Sequence, residues 1–152
     1  MPWTVAEVVM GSAAYERTRA LRNEVLLRPF GLADFSREAD DAVSRHFAAF
    51  DGDAVIGCVV LVPKGQGQGQ LRQMAVDPNY QGRGVGRDLV DHLLSSAGDA
   101  GLLRISCHAR VGAVPFYEKA GFVAEGEPFE EVGMPHLRMH RALGSAHLGS
   151  VK

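Results

Sequence analysis

The sequence predicts an α/β chain of the α+β type: a mixed, mostly antiparallel sheet of about six to seven strands, flanked by helices on both faces. Three observations carry this. The apolar run Val55-Ile56-Gly57-Cys58-Val59-Val60-Leu61-Val62 follows the turn residues Asp51-Gly52-Asp53, the pattern of a hairpin entering a buried strand. From Gly84 onward, Val85, Leu89, Val90, Leu93, Leu94 and Ala97 recur at helical spacing, with Asp88, Asp91, His92, Ser95 and Ser96 opposite. Around these two segments, strand and helix patterns alternate along the chain.

Each element follows from local chemistry. Trp3 to Met10 alternates loosely and predicts an opening strand. Ser12 can cap a helix that runs through Tyr15, Thr18, Leu21, Val25 and Leu26, and Pro29 and Gly31 stop it. Asp34 to Asp41 is acidic and irregular, a loop or a short second helix. His46 to Phe50 is the first arm of the hairpin. Gly65-Gln66-Gly67-Gln68-Gly69-Gln70 holds no apolar residue and predicts a flexible loop between strands. Leu71 to Val76 predicts a strand that Pro78 ends, because proline cannot donate to the ladder. Gly98 and Gly101 end the helix begun at Gly84. Ile105 to Ala109 predicts a strand, and Ala113 to Ala120 a short helix with Pro115 in its first turn and Gly121 past its end. Phe122-Val123 and Leu137 to His140 supply closing strands.

A chain of 152 residues, 46% hydrophobic, can bury one substantial core. We read residues 1–143 as one domain and the small, polar residues 144–152 as a flexible tail. The formal net charge of -2 provides no field that would draw the chain onto nucleic acid or an anionic membrane. No apolar run approaches the ~20 residues that cross a bilayer, and the first residues lack a secretory pattern, so a cytoplasmic location is expected. Cys58 and Cys107 sit in apolar, strand-like surroundings and read as buried reduced thiols.

The chemistry concentrates where the strand ending at Pro78 becomes a helix through Gly82, Gly84 and Gly86. Such a turn exposes backbone N–H groups without intrahelical partners, and glycine permits both positive φ and close approach of a phosphate oxygen. Arg83 and Arg87 stand at the positive end of the helix dipole, an unfavourable position unless an anion lies among them. A Walker loop would need Lys-Ser or Lys-Thr after the last glycine, where this chain has Arg87-Asp88. A dinucleotide fingerprint would need Gly-x-Gly-x-x-Gly early in a βαβ unit. Neither fits.

The run from Leu71 to Gly86 resembles the central motif of the GNAT acyltransferase superfamily, with its Gln/Arg-x-x-Gly-x-Gly/Ala signature at Gln81, Gly84 and Gly86. Ala113-Val114-Pro115-Phe116-Tyr117-Glu118-Lys119-Ala120-Gly121-Phe122 resembles the same superfamily's late helix and strand. Together the motifs span residues 71 to 122, and Glu127 to Leu137 further resembles a subgroup of small bacterial members. The resemblance implies a single-domain GNAT fold in which a bulged strand, Leu71 to Val76, splays from its parallel neighbour, Ile105 to Ala109, the pair holding the cofactor. It implies acetyl-CoA as co-substrate and transfer of its acetyl group to a primary amine by direct attack. The implied cofactor-binding residues are Met74, Ala75, Val76, Gln81, Gly82, Arg83, Gly84, Val85, Gly86, Arg87, Arg110, Phe116 and Tyr117. A backbone N–H near Met74 or Ala75 would polarise the thioester carbonyl. Tyr117 is the candidate acid for the departing thiolate. Arg110 stands where many members carry Asn, so that contact to the cofactor arm is replaced.

The base is less determined. Glu24, His46, His108, Glu130, Glu131 and His136 could each accept a proton through water, and we rank Glu131 and His136 first because they flank a proline turn in the last hairpin. Acidic residues at Glu38 to Asp41 and at Glu130-Glu131 point to a cationic acceptor, either a small molecule or a peptide amine. His136 and His140 have the spacing of a metal pair, but no third ligand clusters with them, so no metal is expected. A homodimer is compatible with the sequence and not specified by it. The rival function is a non-catalytic acyl-CoA sensor or interaction module with the same fold.

Overall fold

The computed structural model describes residues 3–32 and 40–143. Seven strands form one mixed sheet in the order β1-β2-β3-β4-β5-β7-β6. They are β1 (Thr4–Val8), β2 (Arg45–Asp51), β3 (Ala54–Gly65), β4 (Gln68–Val76), β5 (Arg104–Arg110), β6 (Val123–Glu131) and β7 (Met134–Ala142), with helices α1 (Ala13–Arg22), α2 (Val85–Asp99) and α3 (Val114–Lys119). The chain divides into two compact units: Met1–Val62 with Arg72–Leu93, and Pro63–Leu71 with Leu94–Lys152. Neither the acidic residues 33–39 nor the tail read at 144–152 lies within the described residues.

In the first unit, β1, β2 and β3 pair antiparallel, with Thr4 opposite Phe50 and Ala49 opposite Gly57. Period-two alternation along β3 gives each helix its face. Gly57 points at α2, where an added Cβ would stand 2.9 Å from both Leu89 Cδ1 and Val85 Cγ1. Glycine in the middle of an apolar strand therefore lets α2 approach closely. Cys58 points the other way and packs with Leu21 of α1 and Ala75 of β4. Ser12 caps α1 as expected, accepting from Tyr15 N at 3.1 Å. Below Arg22 the helix widens into a π turn, Asn23–Leu27, and a 3-10 turn, Arg28–Phe30, that ends at Gly31 with φ 73°.

In the second unit, β4 runs parallel to β5 from Gln68 opposite Arg104 to Leu71 opposite Cys107. β5 pairs antiparallel with β7, and β7 with β6. Two expectations need correction here. The Gly-Gln segment is a tight turn rather than a flexible loop: Gln66 and Gly67 both take positive φ, 56° and 75°, the geometry of a two-residue hairpin turn. Gln68 to Gln70 already belong to β4, and Gln70 is 8% exposed. The closing strands are also longer than their apolar cores suggested, because β6 is an edge strand of charged residues joined to β7 by a second turn of this kind at Val132 (φ 47°) and Gly133 (φ 74°). No helix among the described residues is long and apolar enough to cross a membrane.

Candidate functional site

The glycine turn belongs to the first unit. One 3-10 turn, Pro78–Tyr80, is capped by Asp77, whose carboxylate accepts from Asn79 N at 2.8 Å. The chain then passes through Gly82 (φ 79°) and Gly84 (φ 100°) into α2. An added Cβ at either glycine would meet nothing within 4 Å. The glycines are thus required by backbone conformation and not by crowding, and they lie at the positive end of a 15-residue helix, where backbone amides can receive a phosphoryl oxygen. The exposed Gln81 side chain donates to Val76 O at 2.9 Å, so it ties the turn to the end of β4. Arg87 donates to Asp91 at 3.1 Å. Arg83 lies over the Tyr80 ring, 5.2 Å from its centroid, and has no carboxylate partner among the described residues. Just upstream, Gln73 takes a φ of 57° inside β4. A left-handed residue within a strand is bulge geometry, which leaves a backbone group outside the ladder. Met74, Ala75 and Val76 follow it directly; Ala75 is buried, the other two half-buried.

The acid candidate belongs to the second unit. On β5, Ile105, Cys107 and Ala109 face the core, and Tyr117 of α3 lies on that side. Its ring meets Phe116 edge-on at 5.0 Å and Phe122 at 5.5 Å. Burial, with a smaller effect from Cys107, pushes the phenol well above its ordinary range, so it stays protonated. Arg141 of β7 secures the helix by donating to Ala120 O at 2.7 Å, while Gly121 (φ 94°) leaves room for the guanidinium.

On the opposite face of β5 and β7 the structure gathers His108, Glu131 and His136. His108 Nδ1 is 2.9 Å from Glu131 Oε1. An ionised carboxylate only accepts, so Nδ1 donates. His136 Nδ1 is 2.9 Å from Met134 O, which also only accepts. In the neutral ring the lone pair therefore falls on Nε2, 3.9 Å from Glu131 Oε2. Phe129 stacks on His136 with rings 5.9 Å apart and meets His108 edge-on at 5.2 Å. Arg110 is in register with His136 on this face, and burial lowers its pKa.

Other candidates lie elsewhere. Glu24 is exposed in the π turn, and Glu130 is exposed on β6. His46 is 2% exposed, with Nε2 2.8 Å from Asp41 O, so it is a core residue and not a base. Asp41 does not offer its carboxylate to a cationic acceptor, being buried against Arg22 at 3.0 Å, whereas half-exposed Asp40 has Oδ2 engaged by Arg72 at 3.1 Å. Glu38 lies outside the described residues. His108 could be tied to Glu131 only through strand register, which no local signal carries.

Comparison with known proteins bears out the family and the fold. A family model described as "Acetyltransferase (GNAT) domain" matches residues 16–143. Glucosamine 6-phosphate N-acetyltransferase of Trypanosoma brucei brucei is 30% identical over 99 residues, 61% of this chain and 67% of that protein. The next three curated relatives are longer, the chain spanning 38%, 27% and 43% of their lengths. A Lactobacillus plantarum structure described as an N-acetyltransferase superposes with TM-score 0.84 at 22% identity, over 94% of this chain and 99% of that one. A GNAT family acetyltransferase from Elizabethkingia anophelis, solved with acetyl-CoA bound, superposes with TM-score 0.71 at 20% identity, over 93% and 99%. These structural likenesses show the fold, and the family model shows the lineage. The chain belongs to the GNAT family of acetyltransferases.

Proposed function

We propose that the chain transfers an acetyl group from acetyl-CoA to a primary amine by direct attack. Acetyl-CoA supplies the activated acyl thioester. The glycine turn supports binding of its pyrophosphate, through the amides from Gly82 to Gly86 and the guanidinium of Arg83. Buried, protonated Tyr117 is the donor for the departing thiolate. Glu131 and His136 take the proton that the attacking amine sheds.

The observation that carries the proposal is the facing pair at the last hairpin. Glu131 Oε2 and the His136 Nε2 lone pair are both acceptors, 3.9 Å apart, too far for a direct hydrogen bond. A primary amine has N–H groups enough to donate to both. His108 holds the other carboxylate oxygen and so leaves Oε2 available. Acid and base candidates lie on opposite faces of β5, as suits a reaction in which the amine approaches one side of a carbonyl and the thiolate leaves from another.

The test is free thiol release from acetyl-CoA across a panel of small primary amines and peptide N-termini. Release should require both acetyl-CoA and an amine. CoA binding without amine-dependent release would leave only the non-catalytic acyl-CoA-binding reading. Tyr117→Phe should lower kcat by about 10²-fold while CoA affinity stays the same.

A further inference from the structure

Arg83 is the unexplained cation of the glycine turn. Arg87 is engaged by Asp91, whereas Arg83, with no carboxylate partner among the described residues, meets the face of Tyr80. That ring is itself held from a distance: Tyr80 OH donates to Asp51 Oδ2 at 2.5 Å, across 29 residues of sequence. Asp51 is the last residue of β2, paired with Ala54 across the Gly52-Asp53 turn, and a register shift between Ala49 and Phe50 precedes it. A bulge of that kind re-aims the side chains beyond it. The hairpin end thus presents the Asp51 carboxylate that holds the Tyr80 ring. The hydrogen bond to a carboxylate also raises electron density on the phenol, which strengthens its attraction for the guanidinium above.

We propose that Asp51 and Tyr80 are positioning residues that hold Arg83 in place to meet the CoA pyrophosphate. Neither touches the reacting atoms. An unsupported arginine on an exposed turn would lose its side-chain rotamer freedom on binding, at a cost to affinity. Here Tyr80 confines the guanidinium beforehand, and the local hydrogen bonds Asn79 N to Asp77 Oδ1 and Tyr80 N to Asp77 O, both 2.8 Å, confine Tyr80. The inference rests on the acetyl-CoA reading above and extends it to residues outside the Gln81, Gly84 and Gly86 signature.

The test uses the full chain and compares KM for acetyl-CoA with KM for acetyl-pantetheine, which keeps the thioester and lacks the phosphates. Arg83→Met should raise KM for acetyl-CoA about tenfold, Tyr80→Leu about fivefold and Asp51→Asn about twofold. Neither Tyr80→Leu nor Asp51→Asn should change KM for acetyl-pantetheine or kcat with saturating acetyl-CoA. In a Tyr80→Leu background, Arg83→Met should add less than it does alone. Additive losses, or equal losses with acetyl-pantetheine, would overturn the proposal. With acetyl-dephospho-CoA the Arg83→Met loss should persist; its disappearance would move Arg83 to the 3′-phosphate and overturn the pyrophosphate assignment. Failure of the unaltered chain to bind CoA at all would instead remove the functional reading beneath it.

Discussion

Two clusters in this molecule contain the same chemistry, a carboxylate set among histidine, arginine and aromatic rings, and they are built in opposite ways. In the first unit, Asp41 accepts from Tyr15 OH at 2.6 Å and from both terminal nitrogens of Arg22 at 3.3 and 3.0 Å. Arg22 and Asp41 are 0% exposed. In the second unit, the Glu131 side chain is 45% exposed and that of His108 30%, and one carboxylate oxygen faces another acceptor. An ion pair sealed in the core holds a fold together but has nothing to offer a ligand. An acceptor pair that lacks its donor, with an exposed Glu131 beside a His136 only 5% exposed, is arranged to receive one at its open edge. Exposure of the carboxylate side chain, 1% for Asp41 against 45% for Glu131, thus separates the structural cluster from the chemical one, where residue type does not.

The largest break in this comparison comes from Asp41→Ala, which leaves the Arg22 cation buried without its carboxylate. It should cost about 3–5 kcal/mol in urea unfolding. The double change Arg22→Met with Asp41→Leu should recover most of that loss, because a well-packed apolar pair can replace a buried ion pair. Unfolding midpoints of the single and double variants decide the point; equal destabilisation of both would mean that shape, not charge, is what the site requires.

Glu131→Gln inverts the pattern. Stability should stay within about 0.5 kcal/mol of the parent chain, as at most exposed positions. Amine-dependent thiol release should fall about 10²-fold. A variant that melted early and kept its turnover would reassign the hairpin cluster to structure.

The pH axis sharpens the contrast further. Burial, then the hydrogen bond to Asp41, raises the Tyr15 pKa to about 12. The folded value lies above the unfolded value, which is about 10, so the contribution of Tyr15 is fully present below pH ~10 and is lost as pH rises toward 12. Thermal melts should show the parent chain losing stability across that window. Tyr15→Phe should lose about 1–3 kcal/mol at neutral pH, since it removes a donor from buried Asp41, and its melting point should fall less steeply on the alkaline side.

What could be read in advance follows the same division. The glycine turn was legible because its determinants, Pro78 to Arg87, are contiguous, and two of its glycines, Gly82 and Gly84, take a positive φ. Glu131 and His136 were legible because turn residues placed them at a hairpin end. The Arg22–Asp41 pair was not: its members are 19 residues apart, and charge in an irregular segment reads as solvated surface. The Gly-Gln repeat misled for a related reason. Composition reports polarity, whereas left-handed φ at Gln66 and Gly67 is a property of two residues in one register. Tyr80 and Asp51 carried no signal, since their meeting depends on where the β2–β3 hairpin ends.

The smallest expected effect isolates burial from geometry. Arg45 and Glu7, on paired strands β2 and β1, form a bidentate contact at 2.9 and 2.8 Å, shorter than the buried Arg22–Asp41 pair. Their side chains are 38% and 46% exposed. The hydrogen bond from Arg45 holds the Glu7 carboxyl below its ordinary pKa, so any stability it adds is present above the unfolded carboxylate range and is lost as pH falls through the folded value. Water already solvates both groups well, and fixing two long side chains consumes part of the gain. Glu7→Gln should therefore cost under about 1 kcal/mol in urea unfolding, and the difference should vanish in 1 M salt, where the screening length is only ~3 Å. The Asp41→Ala loss should persist in the same salt, because no ion reaches a pair with no exposed surface. If the exposed pair proved as costly to break as the buried one, bond geometry would outweigh burial, and exposure could no longer serve to tell this chain's structural carboxylate from its chemical one.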